Sequence, residues 1–143
     1  MASAAWDTPF ETTSKWNSVR MLLAHCNGAE ERWINRRLQD LPLPVIYEER
    51  AAPDWEGLYA DHRTIRAATY AYLAARTDAE LASEQELMRF EDKPVSLADV
   101  LFHIFNHENY HRGQVITALQ RLGVDPPNFD YCIVRPATAR TDV

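Results

Sequence analysis

The chain is poor in the residues and segments that mark several common protein classes. Its 143 residues include only four glycines, which are scattered, so no glycine-rich phosphate-binding loop is present. Two cysteines, Cys26 and Cys132, are too few for a disulfide framework, and we expect reduced thiols in the cytoplasm. No apolar run approaches the roughly 20 residues that cross a bilayer, and residues 1–16 lack the apolar core of a signal peptide.

Positive charge is also scarce. The 15 lysine and arginine residues are outnumbered by 21 aspartate and glutamate residues, which gives a net charge of −6. Because nucleic-acid phosphates repel such a chain, a general nucleic-acid-binding protein is disfavoured. The hydrophobic fraction of 46% and the charged fraction of 25% are ordinary for a globular protein. We therefore expect a single domain over residues 1–143, without a nucleic-acid or membrane partner.

Three long segments show apolar side chains at steps of three and four residues, which is typical of amphipathic helices. The predicted helices run from a cap at Ser14 or Asn17 to about Leu38, from Asp54 to about Arg76, and from a capping box of Ser96 and Asp99 to Gly123. We expect loops at 41–53, with an extended stretch at 45–47, a helical turn within 77–84, a small hairpin at 86–94, and irregular ends at 1–13 and 128–143. Trp33, Trp55 and Phe105 are expected in the core.

Histidines lie on the apolar stripes of these helices. His107 and His111 are one turn apart on the third helix, His25 is on the first and His62 on the second. A buried imidazole needs a polar partner, and a shared zinc, nickel, copper or iron ion would serve several imidazoles at once. The pattern leaves open whether His25 or His62 faces the pair, and whether each is only a hydrogen-bonded core residue. His103, a turn before His107, lies above such a site or outside it.

Residues 107–111 also match the HExxH motif, in which a glutamate activates water beside two zinc-binding histidines. The motif is short, and its metzincin continuation fails because Gln114 stands where glycine is needed. Since the side chain of Glu108 projects about 100° around the helix from that of His107, we interpret it as a solvated or ion-paired residue and not as a general base. The same angle separates Cys26 from His25, which disfavours a cysteine nucleophile.

Two stretches resemble the DinB-like family of metalloenzymes. The C-terminal signature of that family is similar to HIFNHENYHRGQ at 103–114, followed by LGVDPP at 122–127 and by Asp130-Tyr131. Its earlier motif, in which a histidine precedes an acidic residue and a tryptophan, is similar to SVRMLLAHCNGAEERW at 18–33. The resemblance covers roughly residues 17–131.

The resemblance implies an all-α, up-and-down four-helix bundle with a triple-histidine site for a divalent metal ion. We expect that ion to be zinc or nickel. The ligands map to His25, His107 and His111, with water completing the coordination sphere. Members with an assigned activity are similar to S-transferases and isomerases that use bacillithiol or mycothiol, which implies an enzyme whose metal activates a thiol or water, with a low-molecular-weight thiol as cofactor. Arg112 and Gln114 are expected to support packing or to hydrogen-bond the ligands.

We expect the first of the usual four helices to be shortened or missing, since only about 16 irregular residues precede the helix of His25. Three alternatives stay open: residues 1–13 form a short substitute, a partner chain fills the fourth position, or the start codon is misassigned. Loss of that helix would expose an apolar groove, and we therefore expect a homodimer that acts on a small molecule. The alternative hypothesis is a non-catalytic interaction or stress protein whose bundle is stabilised by metal. In that case His62 or Cys26 would be the natural fourth ligand of a closed site.

Overall fold

The computed structural model describes residues 6–12, 14–43, 47–50, 54–81, 83, 88–90 and 92–126. Its elements in chain order are α1 (Val19–Trp33), a 3-10 turn (Arg37–Gln39), α2 (Tyr47–Arg50), α3 (Trp55–Ala74), α4 (Asp78–Leu81), β1 (Met88–Phe90), β2 (Lys93–Val95) and α5 (Leu97–Arg121). The described part is mostly helical, which confirms the predicted all-α bundle. The predicted tail at 128–143 lies outside the described residues.

The start and the end of α1 both differ from the prediction. The hydroxyl of Ser18 accepts a hydrogen bond from the backbone N–H of Met21, so Ser18 is the cap in place of Ser14 or Asn17. The helix ends at Trp33, before the predicted end at Leu38, because a turn and the 3-10 segment follow it.

The other two long helices begin where their capping residues predict. The carboxylate of Asp54 accepts the N–H of Gly57 at the start of α3. Ser96 and Asp99 form a reciprocal capping box at the start of α5, and Gly123, just beyond its end, has a positive φ of 71°. The local hydrogen-bonding chemistry therefore sets these boundaries.

Two of the three short elements predicted from the sequence are confirmed. The helical turn α4 lies within the predicted 77–84, and β1 and β2 pair antiparallel as the predicted hairpin, with Met88 opposite Val95. The extended stretch predicted at 45–47 is wrong at Tyr47, which is buried and begins α2; residues 45 and 46 lie outside the described part. Burial of a large aromatic ring against the bundle explains why tertiary packing overrides the local pattern here.

Helix α1 is central, because it packs against both α3 and α5. Among the described residues the backbones of α3 and α5 lie farther apart, and Arg66 of α3 reaches Glu108 of α5 through its long side chain. Two apolar clusters hold these helices together, one towards each end of α1. The first contains Val19, Leu22, Leu58, Ile65, Val115, Ala118 and Leu119, and the second contains Ala29, Ile34, Val100 and Ile104. The inward histidines of α1 and α5 lie between these clusters along the chain.

The residues that precede α1 cover part of the bundle. Trp6 and Asp7 are helical, whereas residues 8–12 are irregular, as predicted for the arm. Trp6 is buried in the first apolar cluster, and Phe10 and Trp16 pack against that cluster. An ion pair between Asp7 and Arg20 joins this segment to α1. The segment before α1 thus supplies three aromatic rings to the bundle, those of Trp6, Phe10 and Trp16.

Two aromatic residues predicted to be buried are exposed. The exposed fraction is 52% for Trp55 and 66% for Phe105. Trp55 is the first residue of α3, and its ring centroid lies 4.6 Å from that of Trp6. Phe105 lies on the surface of α5 that borders the gap towards α3. Trp33, by contrast, is half-buried against the second apolar cluster.

None of the helices in the described ranges combines the length and the apolar character needed to span a membrane.

Candidate metal centre

Three of the five histidines converge between α1 and α5. Each of His25, His107 and His111 offers one ring nitrogen, and these nitrogens all lie within 4.8 Å of one another. Nε2 of His25 is 3.0 Å from Nε2 of His107. The spacing of four residues places the two α5 rings on one face of that helix, opposite the single ring from α1.

The geometry fits a divalent ion. A tetrahedral zinc ion with bonds of about 2.0–2.1 Å would hold neighbouring ligand atoms about 3.3 Å apart, which is within the observed spacing. The three ring centroids are 4.5–4.8 Å from one another. Imidazole nitrogens suit zinc and nickel, so the donor set agrees with the metal that the resemblance implies.

Burial favours the neutral form of two of these rings. Burial, followed by the proximity of His111 and His25, lowers the pKa of His107 to about 4. Burial also lowers the pKa of His111, although the hydrogen bond with Gln114 acts in the opposite direction. Only a neutral imidazole offers a lone pair to a metal, so the surroundings prepare these rings as ligands near neutral pH.

Gln114 fixes the tautomer of His111. Its Oε1 lies 2.7 Å from Nδ1 of His111, and because an amide oxygen only accepts, Nδ1 carries the proton and Nε2 keeps its lone pair. The amide nitrogen of Gln114 donates in turn to the hydroxyl of Tyr110 at 3.2 Å. The ring of His107 differs, since its buried Nδ1 has no hydrogen-bond partner among the described residues.

The other candidate ligands lie away from this group. Nδ1 of His62 is 3.0 Å from the amide oxygen of Asn27. Cys26 lines a cavity of about 350 Å³ whose lining includes none of the three histidines, and burial, assisted by Glu108, raises the pKa of its thiol to about 12. His103 is exposed and packs against Trp33, with 4.9 Å between ring centroids. Within the described ranges, neither proposed fourth ligand reaches the triad.

Glu108 takes part in a different cluster. Both of its carboxylate oxygens accept from Nη2 of Arg66, at 3.1 and 3.3 Å, so it is ion-paired, as the sequence suggested. The same nitrogen lies 3.0 Å from the carboxylate of Glu30, whose side chain is only 1% exposed. Burial raises the pKa of Glu30, outweighing the attraction of Arg66. The pattern gave no sign of a buried acidic residue on α1.

Trp16 is the second residue that sequence reasoning missed. Its ring stacks on His25 with 3.5 Å between centroids and an angle of 23° between planes. Its edge-to-face contact with His111 has a centroid distance of 5.9 Å. Trp16 belongs to an irregular segment, where no periodicity assigns a side chain to a face. The segment before α1 therefore covers the histidines in a way that only the structure reveals.

Comparison with known proteins agrees with the motifs. Residues 4–141, almost the whole chain, match the sequence profile of the DinB family. Neither a curated protein nor a solved structure gives a match. The family resemblance drawn from the two motifs is thereby confirmed.

Proposed function

The chain belongs to the DinB family, and we propose that it is a divalent-metal-dependent enzyme in which His25, His107 and His111 hold the metal ion. The observation that carries this proposal is the convergence of three ring nitrogens from two helices. Zinc and nickel are the metals that we propose, because three imidazoles suit both. The cytoplasmic location stays a prediction from the sequence.

A divalent ion at this site, when bound, would lower the pKa of a coordinated thiol or water and so supply a nucleophile. Three protein ligands leave room for that group. The protein's own residues favour the neutral rings of His107 and His111, orient His111 through Gln114, and cover His25 with the indole of Trp16. Because Glu108 is occupied by Arg66, we assign it no role as a general base.

We propose transfer of a low-molecular-weight thiol to an electrophilic small molecule, with activation of water as the other use of the same site. The family resemblance supports the thiol. The test compares metal-free protein with zinc- or nickel-loaded protein, using a thiol with a chromogenic electrophile in one assay and a chromogenic ester without thiol in another. We expect turnover that needs metal and is lost in His107→Ala but kept in His103→Ala. Equal rates with and without metal would contradict the proposal.

A metal-stabilised protein without catalytic activity is the second candidate, and the burial of His25 and His111 favours it. Chelation separates the two candidates. An enzyme whose helices are already held by two apolar clusters should lose its metal and keep its fold. A structural site should unfold when the metal is removed, because its binding free energy is then folding free energy. Circular dichroism before and after addition of a chelator measures the difference.

We also propose that the protein is a homodimer that associates across the gap between α3 and α5. Four aromatic residues on these two helices are exposed: Tyr59 (47% exposed) and Tyr70 (64%) on α3, and Phe102 (70%) and Phe105 (66%) on α5. Phe105 lines the cavity between the two helices, together with His62 and Arg66 of α3. Exposed apolar surface of this kind usually marks an interface. Light scattering should give the mass of a dimer, and a monodisperse monomer would contradict the proposal.

A further inference from the structure

A hydrogen-bond donor without an acceptor lies beside the histidine triad. The indole Nε1 of Trp16 is buried and has no hydrogen-bond partner in the described part of the chain. An indole N–H can only donate, and buried donors in native proteins are nearly always paired. An unpaired donor at this position therefore suggests an acceptor that arrives from outside the protein.

The position of the indole relates that acceptor to the metal site. The Trp16 ring lies flat on His25 and meets His111 edge to face, so it contacts two of the three proposed ligands. The indole is thus next to the space where the ring nitrogens of the triad converge. A group bound at an open coordination position would be a polar acceptor close to the indole.

The backbone, and not the indole N–H, sets the position of Trp16. Its backbone N–H donates to the hydroxyl of Ser14 at 3.2 Å, and the N–H of Ser14 donates to the hydroxyl of Thr12 at 3.1 Å. The N–H of Phe10 donates to the carbonyl of Asn17 at 2.8 Å, which closes the segment into a loop. The loop and the ring stacking together hold the indole in place and leave its donor available.

Trp6 is a second tryptophan with a buried indole N–H. Its Nε1 also lacks a partner among the described residues, but its ring packs against Trp55. The two tryptophans differ in the neighbours of the indole, since only Trp16 stacks on a proposed ligand. Trp6 therefore serves as a matched control.

We propose that Trp16 is a positioning residue whose indole N–H donates a hydrogen bond to an anion, such as a thiolate, bound to the metal. This inference rests on the proposed function, because it requires a metal ion on the triad. A donor beside the bound ligand would favour an anionic nucleophile over its neutral form, since hydrogen bonds to charged groups are the stronger ones. The segment before α1 would then contribute to ligand selection as well as to burial.

The test uses cobalt-loaded protein titrated with 2-mercaptoethanol, followed by the thiolate-to-cobalt absorption band. Trp16→Phe keeps an aromatic ring over His25 but removes the N–H, and Trp6→Phe makes the same change away from the triad. We expect Trp16→Phe to bind cobalt within about threefold of the wild type and to bind the thiol about tenfold more weakly. Trp6→Phe should change neither affinity.

The possible outcomes separate this inference from the proposed function. Failure of the wild type to take up cobalt would overturn both. Cobalt binding with equal thiol affinity in Trp16→Phe and wild type would overturn the role of Trp16 alone. Loss of cobalt binding in Trp16→Phe, or an equal loss of thiol affinity in Trp6→Phe, would show a purely structural effect and would also overturn it.

Discussion

Two polar clusters lie within one bundle, and they differ in the source of positive charge. In the first, Arg66 lies between Glu30 and Glu108, 3.0 and 3.1 Å from their carboxylates, so the chain supplies its own cation. In the second, three histidine nitrogens face one another with no cationic side chain in the group. Arginine stays charged at any ordinary pH, so the first cluster always contains a cation. We propose that a bound metal ion supplies the cation of the second cluster.

Removal of Arg66 should give the largest effect on stability. In Arg66→Met the carboxylate of Glu30, which is 1% exposed, loses the cation beside it. An unpaired buried charge is strongly unfavourable, and we expect a loss of about 3 kcal/mol in the free energy of unfolding, measured with urea. Arg63→Met on the exposed face of α3 is the control and should cost less than about 0.5 kcal/mol. Equal stability of the two variants would mean that the first cluster does not depend on its internal cation.

Zinc should stabilise the second cluster by a comparable amount. A ligand that binds only the native state at 100 times its dissociation constant adds about 2.7 kcal/mol. We therefore expect the melting temperature of the wild type to rise with zinc concentration. The rise should vanish in His107→Ala and persist in His62→Ala, because His62 bonds to Asn27 and not to the triad. A rise of the same size in both variants would place the metal elsewhere.

Gln114→Leu should have a smaller effect, and that effect should be on metal affinity alone. The variant loses the acceptor 2.7 Å from Nδ1 of His111, so the ring is no longer held in the tautomer that presents Nε2. A residue that hydrogen-bonds a metal ligand typically raises metal affinity ten- to one-hundredfold. We therefore expect the zinc affinity of Gln114→Leu to be about tenfold lower, measured by competition with a zinc chelator. Gln120→Leu, at an exposed position of the same helix, should bind zinc as the wild type does. Unchanged affinity in Gln114→Leu would argue against the tautomer assignment.

The pH dependence of the first cluster should be smaller still, because Arg66 partly offsets the burial of Glu30. The folded-state pKa of Glu30 is raised above 4.5 by burial, so the native state holds this proton more tightly than the unfolded state does. The contribution of Glu30 to stability is therefore greatest below about pH 4.5 and falls as pH rises through the folded-state pKa. Unfolding free energies of wild type and Glu30→Gln from pH 4 to pH 7 should diverge in favour of the glutamine variant. A constant difference would contradict the raised pKa.

The sequence predicted the elements whose chemistry is local. Asp54 and Ser96 start their helices through hydrogen bonds within one turn, and Gly123 follows α5 with the positive φ that glycine tolerates. The four-residue spacing of His107 and His111 placed both rings on one face. The choice of His25 over His62 came from the family resemblance, since the apolar stripes alone fitted either histidine.

The features that were missed depend on what lies opposite a side chain. Helical periodicity shows which residues share a face, but it does not show what covers that face. Trp55 and Phe105 were therefore placed in the core, although they border open edges of the bundle. The burial of Glu30 was not predicted, because its partner Arg66 is distant in sequence. Trp16 lies outside any periodic segment, so its stacking on His25 could not be predicted.

The most direct test is the metal content of untagged protein, determined by elemental analysis for wild type, His25→Ala, His107→Ala and His62→Ala. If the histidine cluster holds the metal, the wild type and His62→Ala should each contain about one zinc or nickel ion per chain. The other two variants should contain none, and all four should keep their helical content. No metal in the wild type, even after addition of zinc or nickel, or metal retained in His25→Ala, would contradict a site shared between α1 and α5.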